Sequence, residues 1–551
     1  MNPMFPLPHA DDDEPHVYVS VGHGQMMTDP MTPLGLSVWR LTSPAPMRTA
    51  GGRLFVDVTA RLVSAATRAA TLEVFGRGDP LLRDALETVL ARGDVLVLEA
   101  GDAQPVVPPP AEPIAADPAI VADLVERNRA SAAELERGIA TVSGPAVFDL
   151  IRADLQALRA LMFDPVNHRA VMASFEATWW LDDHLAEWLG EEHATEVLSL
   201  SAPGNVTAEM GLALLDVADV VRPHAHVVAH LRGIDGDDFL EGLGAVEPGG
   251  AEARAAIDGY LDTYGMRCIG EIDVGRPRWR EHPAAVVPML LADVDGFAPG
   301  EHGRRVEAGR QQAAAKEAEV LARLRALPDG EAKAGEAKAA IDRLRTFVGY
   351  REYPKYGMIR RYFLYKQALL AEGERLVGDG VLDAVDDVFF LAFDELEAVV
   401  GGGPLEPGLV ARRRADFESF HDLTPPRVLT TAGDQLDGEY RRDDVPAGAL
   451  AGLAVSPGVV EGRARVVHDV ADADLEPGDI LVTVHTDPSW SPLFVLVDGL
   501  VTEVGGLMTH GAVTAREYGI VAVVGVDRAT HHIRDGQRIR VDGSKGLVEL
   551  L

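Results

Sequence analysis

The sequence predicts a multidomain α+β protein, in which a large α-rich domain precedes a smaller β/α domain. Apolar residues recur at helical spacing over most of residues 118–420. Beyond residue 448 they form short β-like runs that are separated by turns. With 551 residues, of which 47% are hydrophobic, the chain can form several cores.

The first hundred residues predict short elements followed by a connection. Residues 17–41 mix β-branched residues with Met, Gly and Pro, which favours loops and short strands over a long helix. Residues 54–59 alternate like a strand, and residues 62–92 have helical spacing. The proline-rich tract 101–113 suits neither element, so we predict a surface connection there.

The central part predicts one large helical body. Its Ala-, Leu-, Glu- and Arg-rich tracts are interrupted at Pro165, Pro203, Pro223 and Pro283. The charged run 306–338 predicts a solvated helical hairpin that turns near residues 328–330.

A second domain is predicted after the composition changes beyond residue 423. Apolar runs that begin at Ala464, Asp479 and Gly519 predict the strands of a compact β/α unit. We therefore divide the chain as follows: a leader at 1–16, an α-rich domain at 17–440, a linker at 441–451 and a β/α domain at 452–551.

Charge and cysteine content limit the partners and the compartment. The net charge is -35, which disfavours binding to nucleic acid and to anionic membrane surfaces. Cys268 is the one cysteine, so no intrachain disulfide can form. The N-terminal sequence has no signal-peptide pattern, and no apolar run reaches the roughly 20 residues that span a bilayer. We expect a cytoplasmic protein.

His510 carries the strongest functional signal. It follows a glycine turn, residues 505–506, and precedes a predicted short helix. Imidazole can form a covalent phosphoryl intermediate, and a helix N-terminus stabilises a phosphoryl group. The glycines, including Gly511, let the backbone approach closely, and Thr509 adds a hydroxyl donor. These features predict a phosphate-carrying histidine rather than an ordinary turn histidine.

The sequence GGLMTHGAVTAREYGIVAVVGV, residues 505–526, resembles the phosphohistidine motif of the swivelling domain in pyruvate phosphate dikinase, phosphoenolpyruvate synthase and rifampicin phosphotransferase. The resemblance implies that His510 is the phosphorylated residue. Gly511 stands where the dikinases usually have Ala, and Val521 replaces a usual Pro. Neither difference affects the nucleophile.

Four further stretches resemble the substrate-binding domain of rifampicin phosphotransferase and its close relatives. They begin at Val17 (VYVSVGHGQMMTDPMTPLGLS), Tyr264 (YGMRCIGEIDVGRPRW), Arg351 (REYPKYGM) and Asp386 (DDVFFL). The resemblance implies a relay in which His510 receives a phosphoryl group from ATP and transfers it to a hydroxyl of a lipophilic, rifamycin-like acceptor. Motion about residues 443–451 would move the β/α domain between the two sites.

The nucleotide site is expected on a separate ATP-grasp subunit. Only 16 residues precede Val17, where rifampicin phosphotransferase has an ATP-grasp domain, and the sequence contains no Walker-type loop. Only 41 residues follow His510, too few for the barrel that binds phosphoenolpyruvate in the dikinases. We therefore expect this chain to bind no cofactor, with ATP and Mg²⁺ on the partner.

Arg351 and Lys355 are the candidate cations for phosphoryl transfer. A guanidinium and an ammonium four residues apart could clamp the transferring group, and the resemblance implies that this pair faces the phosphohistidine. The alternative is a salt-bridged surface pair on an acidic protein. Pro354 argues against a simple helical face for the pair.

The acceptor pocket is predicted from a flexible apolar cluster that contains one amide. Its candidate residues are Gln25, Met26, Met27, Pro30, Met31, Met162, Phe163 and Gly211. The alternative is an ordinary core turn. His23 is a candidate general base for the acceptor hydroxyl, with a structural loop histidine as the alternative.

Two polar clusters receive a structural interpretation, and no metal site is predicted. His224, His226 and His230 are interpreted as solvated, because no acidic or cysteine ligand lies in the same turn. The charged residues between 267 and 278 are interpreted as an ion-pair network.

Two other functions stay open. The chain could serve a phosphotransferase that modifies another hydroxyl or phenol compound. It could also be a non-catalytic protein that binds a lipophilic ligand and retains a vestigial His510.

Overall fold

The computed structural model describes residues 5–7, 14–25, 27–43, 45–99, 114–234, 236–440, 442, 445–468, 470, 473–507 and 509–551. Met26, the proline-rich tract 101–113, most of the predicted leader and part of the predicted hinge 443–451 lie outside these residues. The predicted fold class is confirmed: a helical N-terminal region precedes a β/α unit.

An antiparallel sheet joins the start of the N-terminal region to its end. Its strands are β1 (Val17–Ser20), β2 (Met47–Ala50), β3 (Arg53–Asp57), β4 (Val428–Thr430) and β5 (Gln435–Leu436), in the order β2-β3-β1-β4-β5. In β1, Tyr18 pairs with Asp57 on one side and with Leu429 on the other. The chain therefore returns to its first strand before the C-terminal unit begins.

Two helices follow β1, which corrects the prediction of loops and short strands for residues 17–41. They are α1 (Val21–Gln25) and α2 (Pro33–Thr42). The Thr32 side chain accepts a hydrogen bond from the Gly35 N–H, and Pro33 occupies the first helical position. Both features start a helix, and they outweigh the β-like composition.

The predicted helical stretch at 62–92 forms three helices. They are α3 (Thr59–Val63), α4 (Ala65–Gly78) and α5 (Pro80–Arg92). The Asp79 carboxylate caps α5 by accepting from the backbone N–H groups of Leu81 and Leu82. Their apolar faces pack under the sheet with Val17, Val19 and Val428.

The helical body contains fourteen described α-helices, and those that begin at Pro118 and Pro165 start with a proline behind an aspartate cap. Its helices are α6 (Pro118–Ile139), α7 (Pro145–Met162), α8 (Pro165–Leu189), α9 (Ala194–Leu198), α10 (Val206–Val221), α11 (Ala225–Arg232), α12 (Phe239–Leu243), α13 (Gly250–Tyr264), α14 (Val287–Gly296), α15 (Glu301–Arg325), α16 (Gly330–Phe347), α17 (Tyr353–Gly378), α18 (Phe393–Val400) and α19 (Leu409–Phe420). Short 3₁₀ turns cover Pro283–Val286, Tyr350–Glu352 and Val385–Phe390.

The predicted helical hairpin is formed by α15 and α16, and one of its faces is buried. Leu324 and Ile341 pack with Leu181 of α8 in a separate apolar core. The hairpin is therefore solvated on its outer face only.

The C-terminal unit is an eight-stranded sheet with short helices. Its elements are β6 (Leu450–Ala451), β7 (Leu453–Ser456), β8 (Val459–Val466), β9 (Asp479–Thr483), α20 (Ser491–Phe494), β10 (Val497–Thr502), α21 (His510–Tyr518), β11 (Val521–Val524), α22 (Ala529–His532), β12 (Arg538–Asp542) and β13 (Leu547–Leu550). The order is β6-β13-β12-β8-β9-β10-β11-β7, and β8 to β11 are parallel. Below, residues 450–551 are the C-terminal domain and residues 17–436 are the N-terminal body.

The two parts share the largest apolar core. Met210 of α10 and Leu290 of α14 belong to the same cluster as Phe494 and Leu500 of the C-terminal domain. The contact positions α21 against the helical body. Among the described helices, none has the length and apolar character needed to cross a bilayer.

Candidate functional site

His510 lies at the junction between the two domains, as the first residue of α21. The turn before it carries the chain from β10 into this helix. The side chain is buried, and the ring of Phe494 stacks on it with centroids 6.5 Å apart and planes 15° apart. Packing therefore fixes the orientation of the imidazole.

Three polar side chains surround the imidazole of His510. Its Nε2 lies 3.2 Å from Ser491 Oγ, and Thr514 Oγ1 lies 3.3 Å from Nε2 and 3.4 Å from Nδ1. From the N-terminal body, Glu352 Oε2 lies 3.4 Å from Nδ1. Because an ionised carboxylate can only accept, this contact favours the tautomer with the proton on Nδ1 and a lone pair on Nε2.

Glu352 is held as a carboxylate by its neighbours. Burial alone would raise its pKa, but the Arg351 charge, the His510 contact and the Lys355 charge together hold the pKa well below its usual range. Arg351 Nη2 lies 2.8 Å from Glu352 Oε1. Glu352 is therefore ionised at neutral pH, which makes it a poor proton acceptor and a good orienting group for His510.

The two predicted cations lie where α17 begins. Arg351 is in the 3₁₀ turn before the helix, and Lys355 is in the first turn of α17, directly after Pro354. The Arg351 side chain is only 8% exposed and lies over the Phe175 ring. Lys355 is 25% exposed, and its Nζ lies 3.6 Å from Glu271 Oε1. Arg351 thus belongs to the junction rather than to an exposed surface pair.

Both cations line a cavity of about 380 Å³ beside the junction. The predicted residues Gln25, Met162 and Phe163 line the same cavity, as do Trp39 and His168. The structure therefore brings an amide, apolar side chains and two cations together, and Arg351 connects this cavity to His510 through Glu352. A volume of this size falls within the range of small-molecule sites.

Comparisons with known proteins identify two parts of the chain. Residues 166–352 match the family model described as the rifampicin phosphotransferase fourth domain. Residues 475–546 match the mobile domain of PEP-utilising enzymes. The second match contains His510, and the first ends at Glu352.

Curated relatives match the chain along its length. Rifampicin phosphotransferase from Streptomyces sviceus is 61% identical over 551 residues, which cover 100% of this chain and 63% of the relative. Rifampicin phosphotransferase from Bacillus subtilis is 51% identical over 553 residues, covering 99% of this chain and 64% of the relative. The chain is therefore similar to rifampicin phosphotransferases over its whole length. It spans slightly less than two thirds of the length of these relatives.

Four of the predicted pocket residues do not line the cavity beside Arg351. Met27, Pro30 and Met31 are buried, and both methionines pack in an apolar core with Leu34 and Val274. Gly211 lies at the domain contact, where a Cβ would come within 2.6 Å of Tyr518 Oη and 2.9 Å of the Ser491 carbonyl. Met26 lies outside the described residues.

His23 is placed away from the described lining of that cavity. Its Nδ1 lies 2.9 Å from Ser20 Oγ. Burial, followed by the charges of Arg427 and His485, lowers its pKa well below the usual value. The contact with Ser20 favours the alternative interpretation of His23 as a structural loop histidine.

Thr509 closes the turn before the helix instead of facing the imidazole. Its hydroxyl donates to the Gly506 carbonyl at 2.8 Å, and the Gly506 N–H lies 3.3 Å from the same hydroxyl. The hydroxyls beside the ring are those of Ser491 and Thr514. Thr514 could have been found from its spacing of four residues from His510 on one helix, whereas Ser491 has no such signal.

A second group of carboxyls lies on the far side of Arg351. Glu517 of α21 accepts from the Asn205 side chain across the junction, and burial raises its pKa to about 7. Glu196 and Glu517 line a second, smaller cavity together with Arg351, and burial raises the pKa of Glu196 to about 7 as well. The junction therefore contains carboxyls that titrate near neutral pH.

The charged residues between 267 and 278 form a buried network. Arg267 Nη1 lies 2.8 Å from Glu271 Oε1, and both side chains are 1% exposed. Arg278 donates to the carbonyls of Glu271 and Asp273. The network connects to the site through the contact between Glu271 and Lys355, and this contact positions the Lys355 ammonium group.

Proposed function

We propose that this chain binds the acceptor and carries the phosphohistidine of a phosphotransferase that modifies a hydroxyl of rifampicin or a similar lipophilic compound. The observation that carries the proposal is the placement of His510 against Glu352 and Arg351, beside a cavity that Arg351 and Lys355 line. The relatives that match the whole chain are named rifampicin phosphotransferases.

The proposed reaction has two steps on His510. In the first, Nε2 attacks a phosphoryl group of ATP, the P–O bond to the leaving phosphate breaks and a P–N bond forms. In the second, the acceptor hydroxyl oxygen attacks phosphorus, the P–N bond breaks and Nε2 regains its lone pair. The hydroxyl proton leaves to solvent or a nearby base.

Arg351 and Lys355 would neutralise the phosphoryl oxygens in the second step, in which negative charge is spread over those oxygens. Glu352 would hold the proton on Nδ1, so that the imidazole leaves as a neutral group. Gln25, Trp39, Met162 and Phe163 would bind the body of the acceptor. Phe163 is 57% exposed, which leaves an apolar surface at the cavity for a large ligand.

We place ATP and Mg²⁺ on an ATP-grasp unit, which is also the partner that loads His510. Mg²⁺ prefers carboxylate and phosphate oxygens, whereas the polar side chains beside the His510 imidazole are two hydroxyls and Glu352. Glu352 is already paired with Arg351. Swivelling of the C-terminal domain would then carry the phosphoryl group from that unit to the cavity.

The experiment is labelling of His510 with an ATP-grasp partner and ATP that carries a labelled phosphoryl group. The wild-type chain should gain acid-labile, base-stable label that maps to the peptide containing His510. His510→Ala should gain none and transfer none, while the exposed His226→Ala should behave like wild type. Label that persists in His510→Ala would refute the carrier assignment.

A second measurement tests the acceptor. Preloaded chain should transfer its label to rifampicin in a single turnover. Transfer to a simple phenol and not to rifampicin would instead support the alternative acceptor class. Binding of rifampicin without label on His510 would support a non-catalytic binding protein.

A further inference from the structure

Three buried hydroxyls of the C-terminal domain lie around the start of α21. Ser491 Oγ and Thr514 Oγ1 lie 3.2 Å and 3.3 Å from His510 Nε2. The third is Thr486, which follows β9 and whose side chain is fully buried. Ser491 is also fully buried, and Thr514 is 2% exposed.

Thr486 approaches the first turn of α21 very closely. A Cβ at residue 511 would lie only 2.3 Å from Thr486 Oγ1. Gly511 therefore allows this hydroxyl to sit beside the helix start at His510.

Within the described part of the chain, the Thr486 hydroxyl has no hydrogen-bond partner. A buried polar group without a partner is costly. The unused hydroxyl thus points to a group that binds there during the reaction.

We propose that Thr486, Ser491 and Thr514 bind the phosphoryl group carried by His510, as a set of hydroxyl donors that travels with the C-terminal domain. The inference rests on the proposed function, since it needs His510 as the carrier. A phosphoryl group on Nε2 carries close to two negative charges and three strong acceptor oxygens. Ser491 and Thr514 already face that nitrogen, and the helix start adds a positive dipole end.

The location of the hydroxyls explains why they are needed besides the cations. Arg351 and Lys355 belong to the N-terminal body, so they are left behind when the C-terminal domain moves away. Thr486, Ser491 and Thr514 keep their positions relative to His510 in every docked position. They are neutral, so they can hold the phosphoryl group without competing with the cations that drive its release.

The test loads His510 chemically, with potassium phosphoramidate and the full chain. Nε2 attacks phosphorus, the P–N bond of phosphoramidate breaks and ammonia leaves, so no nucleotide or partner is needed. The phosphoryl group, hereafter the label, is quantified at His510 and at two exposed histidines, His226 and His531. These two serve as internal references in the same sample. The variants are Thr486→Val, Ser491→Ala and Thr514→Val.

Each variant should lower the rate of label formation at His510 by about tenfold, because one hydrogen bond to a charged group is lost. Label at His226 and His531 should not change. Thr486→Ser and Thr514→Ser keep a hydroxyl and should restore most of the rate, and Thr483→Val, a buried threonine of β9, is the matched control. Restoration by serine distinguishes phosphoryl binding from a merely structural role.

Two outcomes would overturn the inference: wild-type rates at His510 in all three variants, or equal losses at His510 in Thr483→Val and in the three variants. Failure of the proposed function has a different signature. In that case the wild-type chain takes label at His510 but transfers none to any hydroxyl acceptor, and the effects of the three variants on loading are unchanged.

Discussion

Lys355 offers the clearest separation between the two proposed half-reactions. It lines the acceptor cavity, and its nearest acidic partner is Glu271 at 3.6 Å. Lys355→Ala should slow transfer to the acceptor by about 10²-fold, because one preorganised positive charge is lost from the transition state. Loading of His510 should be unchanged, and single-turnover rates with preloaded protein measure the two steps separately.

Arg351→Ala should also slow transfer, with an added effect through its ion pair with Glu352. Arg360→Ala is the matched control, because Arg360 lies in α17, the helix that follows Arg351, and pairs with Glu136 at the surface. Equal losses in loading and transfer would point to a folding defect. Unchanged transfer in Arg351→Ala and Lys355→Ala would show that neither side chain takes part in phosphoryl transfer.

Glu352 is predicted to act by positioning the imidazole. Glu352→Gln keeps the shape but loses the charge, and because an amide can donate as well as accept, it no longer fixes the proton on Nδ1 of His510. We expect transfer to fall by about tenfold or more and its pH profile to change, while acceptor affinity stays the same. Glu352→Asp should recover part of the rate. An unchanged pH profile in Glu352→Gln would contradict this role.

At the residue level, the sequence predicts a carrier histidine and two cations but not the side chains that surround them. His510 and REYPK can be recognised because their chemistry lies in contiguous motifs. Ser491 and Glu352 reach the imidazole from α20 and from the turn before α17. Only tertiary packing brings these segments together. The apolar residues at 27–31 suggest a pocket in the sequence, whereas Met27 and Met31 pack in an apolar core in the structure.

At the level of elements, α21 carries a second group that titrates at the junction. Burial raises the pKa of Glu517 to about 7, against the opposing effects of the Asn205 hydrogen bond and the Arg351 charge. A carboxyl with a raised pKa in the folded state holds its proton longer than in the unfolded chain. Its destabilising effect therefore appears between pH 4.5 and about 7 as the pH rises.

Glu517→Gln should remove this pH dependence, because an amide can accept from Asn205 without ionising. The variant and wild type should unfold alike near pH 4.5, whereas at a pH about one unit above 7 the variant should be more stable by roughly 1 kcal/mol or more. Thermal unfolding across this pH range measures the difference, with the exposed Glu374→Gln as control. A constant difference at every pH would exclude Glu517 as the titrating group.

The helices of the body could be predicted more fully than the strands of the C-terminal domain. Prolines and acidic caps mark helix starts locally, as Asp164 and Pro165 do for α8. Strand β10 lacks such a signal, because a buried parallel strand is a short apolar run that periodicity cannot distinguish from a helix. Gly499 weakens its β character further, although the glycine leaves room for Ile480 and Val460.

At the scale of the whole molecule, Gly211 allows the two domains to meet. A Cβ there would collide with Tyr518 and Ser491 of the C-terminal domain. Gly211→Ala should push α20 and α21 away, so that transfer falls by about tenfold or more while loading of His510 persists. Small-angle scattering should show a larger radius of gyration for the variant.

Gly259→Ala provides the control for a helical glycine, because no described atom lies within 4 Å of the added Cβ. It should raise stability by about 0.5–1 kcal/mol and leave transfer unchanged. Wild-type transfer and compactness in Gly211→Ala would show that the domain contact can adjust without cost.

The pairing of β1 with β4 brings the two ends of the N-terminal body together. Because residues 17–20 and 428–430 are neighbouring strands, the two ends of this body lie side by side. Units with adjacent ends tolerate circular permutation and insertion into other proteins. The N-terminal body, with the proposed acceptor cavity that it contains, could therefore be inserted into another polypeptide, because both connections would leave it at neighbouring strand ends.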